Sequence, residues 1–132
     1  VPEKVYLECT ESVNHREEAI LITNVTYIER HLIENAKLFR LLHSDIDAGE
    51  AEALVLALEQ KADLILLDDQ EARIKARKLD LPVTGTLGVL LKAKNQGLIS
   101  SLKTEIQNLQ ASGFWLSPEI TDAFLSHSAA RS

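Results

Sequence analysis

The spacing of apolar and polar positions divides the chain into short helices and strands. Helices are indicated where apolar residues recur every three or four positions, and strands where apolar runs are short and β-branched or continuous. We predict strands over residues 19–25, 64–67 and 82–85, and helices over residues 1–12, 27–42, 49–61, 70–79, 86–95, 101–112 and from 117 onward. The order α-β-α-α-β-α-β-α-α-α predicts an α/β fold with a mostly parallel sheet and helices on both faces.

The middle of the chain holds the strongest apolar segments. Residues 49–61 are apolar nearly all round, which predicts a helix buried against the sheet. Residues 64–67 form a continuous apolar run (LILL), which is typical of a parallel strand covered on both faces. Asp47 and Glu50 have the spacing of a capping box at the start of the buried helix.

Two acidic clusters flank these segments, Asp47/Glu50 before the buried helix and Asp68/Asp69 after the strand. Ligands of parallel sheets bind beyond the carboxyl ends of the strands, and carboxylate oxygens are the ligands that Mg²⁺ prefers. Each cluster also has a structural explanation. Asp69 can cap the helix over residues 70–79, and the capping box accounts for Glu50. Neighbouring strand residues point to opposite sides, so we do not expect Asp68 and Asp69 to bind one ion together.

The composition and net charge of the chain exclude several classes of protein and of binding site. A chain of 132 residues with 45% hydrophobic content predicts one globular domain over residues 1–132. The formal net charge of −6 argues against non-specific nucleic-acid binding, but not against a metal site that holds one phosphate. No apolar run approaches the roughly 20 residues of a membrane span. The single cysteine, Cys9, excludes an internal disulfide and a thiolate zinc site, which predicts a cytoplasmic protein in which Cys9 is a core residue.

Four segments, in order, resemble PIN-domain proteins: VPEKVYLE, DAGEAEALVLALE, LILLDDQEARIKARKL and PVTGTLGVLLKAKNQGLI. The resemblance is to a prokaryotic branch described as predicted nucleic-acid-binding proteins. It implies a three-layer α/β/α sandwich with a mostly parallel sheet. It also implies three or four acidic residues that bind Mg²⁺ or Mn²⁺ and cleave RNA. Many PIN domains are the toxins of toxin–antitoxin pairs.

The resemblance assigns the acidic site residue by residue. Glu8, Glu50 and Asp68 would be the catalytic, metal-binding carboxylates, and Asp69 is the alternative to Asp68 as a metal ligand. The family begins with a strand that carries an Asp, whereas this chain resembles the family only from the helix after its second strand. We therefore expect a fold that is incomplete at its N-terminus and a weakened site. Exposed strand edges would also favour a homodimer or a strand-exchanged oligomer.

Three functions compete at this point. The first is a Mg²⁺- or Mn²⁺-dependent endoribonuclease of PIN type, toxin-like and acting on single-stranded RNA. The second is a non-catalytic PIN-like module that associates with itself or binds an antitoxin-type protein. The third is a receiver domain that is phosphorylated on Asp68. It is the weakest of the three, because no acidic pair precedes Asp68 in the context that receivers need.

Overall fold

The computed structural model describes residues 1–11 and 16–130. Within these residues the elements follow in the order α1 (Glu3–Thr10), α2 (Arg16–Asn24), α3 (Ala36–His43), α4 (Ala48–Glu59), β1 (Ile65–Leu66), α5 (Gln70–Lys78), β2 (Val83–Thr84), α6 (Thr86–Asn95), α7 (Leu102–Ala111) and α8 (Pro118–Ala130). None of the described helices is both long enough and apolar enough to cross a membrane. The chain forms two compact units, Val1–Val83 and Thr84–Ser132.

The first unit is built around α4. Leu54 and Val55 are fully buried, and residues of α3, α5 and β1 pack around them. The side chain of Glu59, at the C-terminal end of α4, accepts backbone N–H groups of residues 34 and 35 at 2.8 Å and so fixes the start of α3. The predicted buried helix over residues 49–61 is therefore confirmed, and it organises the core of this unit.

The sheet predicted from the strand-helix alternation is parallel but small. β1 and β2 are joined by α5 and pair side by side, with the Ile65 N–H donating to the Pro82 carbonyl at 2.9 Å. A separate parallel bridge links Pro2 with His31, whose N–H donates to the Val1 carbonyl at 3.0 Å. The α/β class is confirmed, and the sheet has two strands in the described part of the chain.

The second unit has its own small core. Leu87 of α6 packs with Leu102 and Ile106 of α7, and Phe124 of α8 covers them. Its helices begin and end close to the predicted positions. The Ser101 hydroxyl accepts the Thr104 N–H at 3.2 Å, which is the N-cap of α7. The left-handed backbone at Gly97 (φ 75°) and Gly113 (φ 99°) ends α6 and α7, as their sequence positions predict.

The predicted strand over residues 19–25 is wrong, because all of this segment except Val25 lies in α2. Glu17 and Glu18 occupy the first turn of that helix, where its positive N-terminal end favours acidic side chains. Ile20 is 55% exposed and Leu21 68% exposed, so the apolar run does not form one buried face of a sheet. Local β-propensity failed here because none of the strands in residues 1–11 and 16–130 pairs with this segment.

The predicted helix over residues 27–42 is correct only in its C-terminal part, which is α3. The Asn35 side chain accepts the Leu38 N–H at 3.0 Å and so caps the helix at this point. The predicted helix over residues 1–12 is present as α1, and its last predicted residue lies outside the described ones. Cys9 on α1 is exposed, so its predicted role as a core residue is wrong.

The strand over residues 64–67 is present but is not covered on both faces. Ile65 and Leu67 are buried in the core, whereas Leu64 is 50% exposed and Leu66 is 62% exposed. The continuous apolar run therefore has one face on the core of the first unit and one face open. This pattern makes Leu64 and Leu66 an accessible apolar surface.

Candidate acidic site

A cavity of about 1000 Å³ lies in the first unit, between the start of α1, the first turns of α4 and the strand β1. Its apolar wall includes Pro2, Val5 and Leu56. The acidic residues of the lining are Glu8, Glu29, Asp47, Glu50 and Asp68. Three of these, Glu8, Glu50 and Asp68, are the residues predicted to be catalytic. The fold therefore brings onto one cavity three carboxylates that are far apart in sequence.

Glu8 reaches this cavity from α1 and lies against the first turn of α4. A Cβ atom at Gly49 would come within 3.1 Å of the Glu8 Oε2 atom. Glycine at this buried position therefore leaves room for the Glu8 carboxylate. The N-terminal end of a helix carries a partial positive charge, which favours a carboxylate beside it. Sequence reasoning missed Gly49, and its only local signal was a glycine inside the first turn of an otherwise strong helix.

Glu50 occupies the same turn and has an unusual electrostatic environment. Its Oε2 atom accepts the backbone N–H of Asp47 at 3.2 Å, so its half of the predicted capping box is present. Burial raises the pKa of the Glu50 carboxyl, and the negative charges of Asp69, Asp47 and Glu8 raise it further. The Asp47 N–H opposes this shift of the pKa. The acidic groups are thus close enough to repel one another.

Asp68 and Asp69 follow β1 and have different surroundings. The Asp69 Oδ2 atom accepts the Ala72 N–H at 2.9 Å, which confirms Asp69 as the N-cap of α5. Asp68 is exposed and lines the acidic cavity, and Asp69 is not among the lining residues. The structure therefore separates the two neighbours, with Asp69 supporting a helix and Asp68 facing the cavity.

The chemistry of these donor atoms suits a divalent cation, but their arrangement in the structure does not. In the described ranges, no group of three or more His, Cys, Asp or Glu side chains is arranged to hold a metal ion. The available ligands are nevertheless carboxylate oxygens, which Mg²⁺ and Mn²⁺ prefer. A cation would also relieve the repulsion that raises the pKa of Glu50. Binding would require movement of surface side chains, and the metal-ligand assignments to Glu8, Glu50, Asp68 and Asp69 stay predictions.

Comparison with known proteins gives one match. No curated protein and no solved structure matches the chain significantly. A family model described as a PIN domain matches residues 1–130, which is nearly the whole sequence. The match includes α1, the first turn of α4 and the end of β1, where the acidic cavity lies. The chain therefore belongs to the PIN-domain family.

Proposed function

We propose that this PIN-domain protein is a Mg²⁺- or Mn²⁺-dependent endoribonuclease that cleaves single-stranded RNA. The observation that carries the proposal is the placement of Glu8, Glu50 and Asp68 on one cavity of the first unit. Membership of the PIN-domain family supports a nuclease-type function. We also propose a toxin-like role, because many of the PIN-domain proteins that this chain resembles are toxins of toxin–antitoxin pairs.

The carboxylates have distinct parts in this proposal. Glu8, Glu50 and Asp68 would hold the cation, and Asp69 is less suited because its side chain already caps α5. The cation would activate a water molecule and stabilise negative charge on the phosphate. Glu50 must lose its proton before it can bind a cation, and its raised pKa delays that loss. We therefore expect cleavage to increase with pH through the range just above the ordinary pKa of a glutamate.

Cleavage of a fluorescent single-stranded RNA tests the proposal. We expect cleavage in Mg²⁺ or Mn²⁺ and none in chelator. The cleavage should be slow, because PIN domains use three or four carboxylates and this site has three. Asp68→Asn removes one charge and keeps the shape, so it should abolish the activity without changing the thermal midpoint by more than a few degrees. Asp69→Asn is the matched control, since Asn is also a good N-cap. It should leave cleavage intact at alkaline pH, where Glu50 is ionised with or without the Asp69 charge that raises its pKa.

Two results would overturn the nuclease proposal. One is cleavage that persists in chelator, and the other is cleavage that Asp68→Asn leaves unchanged. Rapid cleavage in Mg²⁺ or Mn²⁺ would support the nuclease proposal but would contradict the expectation that the acidic site is weakened. The assay requires the Asp68→Asn and Asp69→Asn proteins to be purified in parallel, so that a contaminating ribonuclease would show equally in both.

A second candidate function is a non-catalytic module that binds an antitoxin-type protein or another copy of itself. The exposed apolar side chains of Leu64 and Leu66 favour this alternative, because both line the cavity beside the carboxylates. Absence of RNA cleavage in saturating Mn²⁺, together with a dimer by light scattering, would support it. The receiver hypothesis is not retained, because the chain belongs to the PIN-domain family. A cytoplasmic location stays a prediction from the single cysteine.

A further inference from the structure

The helix α5 is strongly basic in a chain that is acidic overall. The formal net charge of the chain is −6, yet the nine residues of α5 include four Lys or Arg side chains and one Glu. The helix therefore carries a formal charge of +3. A phosphate backbone responds to clustered cations on a surface and not to the net charge of the whole protein. The acidic composition of the chain is thus compatible with a local contact to nucleic acid at α5.

The packing of α5 determines which of its basic side chains share one side of the helix. Ala72 and Ala76 are fully buried and hold the helix against the core of the first unit. Arg73 and Arg77 each follow one of these alanines, so they lie one turn apart along the same flank of α5. Arg77 is exposed and Arg73 is half-buried. This flank, defined by Arg73 and Arg77, is the basic flank of α5.

Contacts within the protein explain the basic flank only in part. Lys75 lies on the opposite flank, where its Nζ atom is 2.7 Å from the Asp45 Oδ2 atom. Within residues 1–11 and 16–130, Arg73 and Arg77 take part in no hydrogen bond or ion pair. Basic side chains in the last turn of a helix complement its negative end, which accounts for Arg77. Arg73 precedes the last turn, so neither an ion pair nor the helix dipole accounts for it.

The basic flank begins beside the acidic site. Asp68 lines the cavity, and the next residue, Asp69, caps α5. With a rise of 1.5 Å per residue, Arg73 lies about 6 Å and Arg77 about 12 Å from Asp69 along the helix axis. A stacked nucleic-acid strand advances about 3.4 Å per nucleotide, and an extended strand advances further. A strand that leaves the acidic site along α5 therefore reaches Arg77 within about two to four nucleotides.

We propose that Arg73 and Arg77 bind the phosphate backbone of the RNA substrate, on the part of the strand beyond the phosphate that is cleaved. The proposal rests on the nuclease function put forward above, and it adds a surface outside the acidic cavity that positions the substrate. The two guanidinium groups offset the repulsion between the strand and the acidic side chains that line the cavity. Contacts to phosphates carry no base-sequence information, so this surface favours long RNA over short RNA without selecting a sequence.

Binding of RNA in chelator tests this surface without cleavage. Fluorescence anisotropy measures the Kd of a labelled single-stranded RNA for the wild type and for two double variants. Arg73→Gln/Arg77→Gln removes the proposed contacts. Lys37→Gln/Arg40→Gln removes the same charge from α3, where both side chains are exposed. At about 50 mM salt we expect the first variant to bind at least about fivefold more weakly than the wild type, and the second less than about twofold.

The salt dependence and a conservative variant distinguish direct contacts from a general effect of charge or of folding. Each phosphate contact of a single strand contributes about 0.7 to the slope of log affinity against log salt concentration. The slope for Arg73→Gln/Arg77→Gln should therefore be shallower by about 1.4, and the slope for the α3 variant should stay unchanged. Arg73→Lys/Arg77→Lys keeps both charges and should retain the wild-type affinity within about threefold. Thermal unfolding checks that all the variants are folded.

The outcomes separate this surface from the nuclease function. A chain that binds RNA through Arg73 and Arg77 but never cleaves it in Mn²⁺ supports the surface and refutes the nuclease. A chain that cleaves RNA, with equal binding by the two glutamine double variants, retains the nuclease and overturns the surface. The absence of RNA binding also overturns the surface, as does a polyglutamate peptide that binds the basic flank as tightly as RNA does. In an active chain, Arg73→Gln/Arg77→Gln should raise KM and leave kcat unchanged, because these contacts lie away from the cleaved phosphate.

Discussion

Glu50→Gln should make the protein more stable at neutral pH and not less. Burial and the negative charges of Asp69, Asp47 and Glu8 raise the pKa of Glu50 in the folded state. The protonated form is therefore favoured by folding. The contribution of the protonated Glu50 carboxyl to the free energy of unfolding is fully present below the unfolded-state pKa of 4.5. It is lost as the pH rises through the higher folded-state pKa. Glutamine removes that loss because it is neutral at every pH.

The size of the stability gain depends on the exposure of the Glu50 side chain and on the hydrogen bond that the glutamine retains. Glu50 is only partly buried, so water screens its repulsion and the gain at pH 7 should not exceed about 1 kcal/mol. The glutamine carbonyl can still accept the Asp47 N–H, although a neutral acceptor is weaker than a carboxylate. For a chain of this length, 1 kcal/mol corresponds to a rise in the thermal midpoint of about 3–5 °C.

Thermal unfolding in chelator between pH 4 and pH 8 measures this effect. The difference between Glu50→Gln and the wild type should be fully developed at pH 7 and should disappear below about pH 4.5. Glu52→Gln is the matched control, because Glu52 lies on the same helix but does not line the cavity. Addition of Mg²⁺ should raise the midpoint of the wild type more than that of Glu50→Gln. A loss of stability in Glu50→Gln at pH 7 would refute the reasoning, since attraction and not repulsion would then dominate at this carboxylate.

Further substitutions probe the two cores and the glycine positions. Leu54→Ala should lower the free energy of unfolding by about 3–5 kcal/mol, because Leu54 is fully buried, whereas Leu41→Ala should change it by less than about 0.5 kcal/mol in the same denaturant titration. Gly88→Ala should cost about 1–3 kcal/mol because a Cβ there would overlap the Thr84 Oγ1 atom, and Thr84→Ala should remove most of that cost in a double-mutant cycle. Gly49→Ala should leave stability nearly unchanged, because the contacting carboxylate can move, but should weaken Mn²⁺ binding in a calorimetric titration.

The helices after residue 47 could be predicted from the sequence because each has a local signal at its ends. Asp69 caps α5 through its own side chain, and Ser101 does the same for α7. Glycines with positive φ end α6 and α7. These determinants lie within four residues of the position that they fix. The predicted bounds of α4 to α7 accordingly agree with the structure within two residues.

Residues 19–35 are predicted poorly because their conformation depends on distant contacts. The start of α3 is held by Glu59, which is 24 residues away from the backbone of Asn35. The extended segment at His31 is held by Val1 and Glu3. No local pattern reports such bonds. The β-branched run in α2 was misassigned for the same reason, since strand formation requires a neighbouring strand and propensity supplies none.

The acidic cavity shows the same division between local and distant causes. Capping explains why Asp69 and Glu50 are acidic without reference to a ligand, because each accepts a backbone N–H at the start of a helix. No cap explains Glu8, which comes from α1 and lies against Gly49 of α4. A carboxylate beside a helix start is worth only about 0.3–1 kcal/mol, and here it also adds to the repulsion at Glu50. Placing a third acidic group where it raises the pKa of a neighbour is a weak way to stabilise a fold, and the cation site proposed above would account for it.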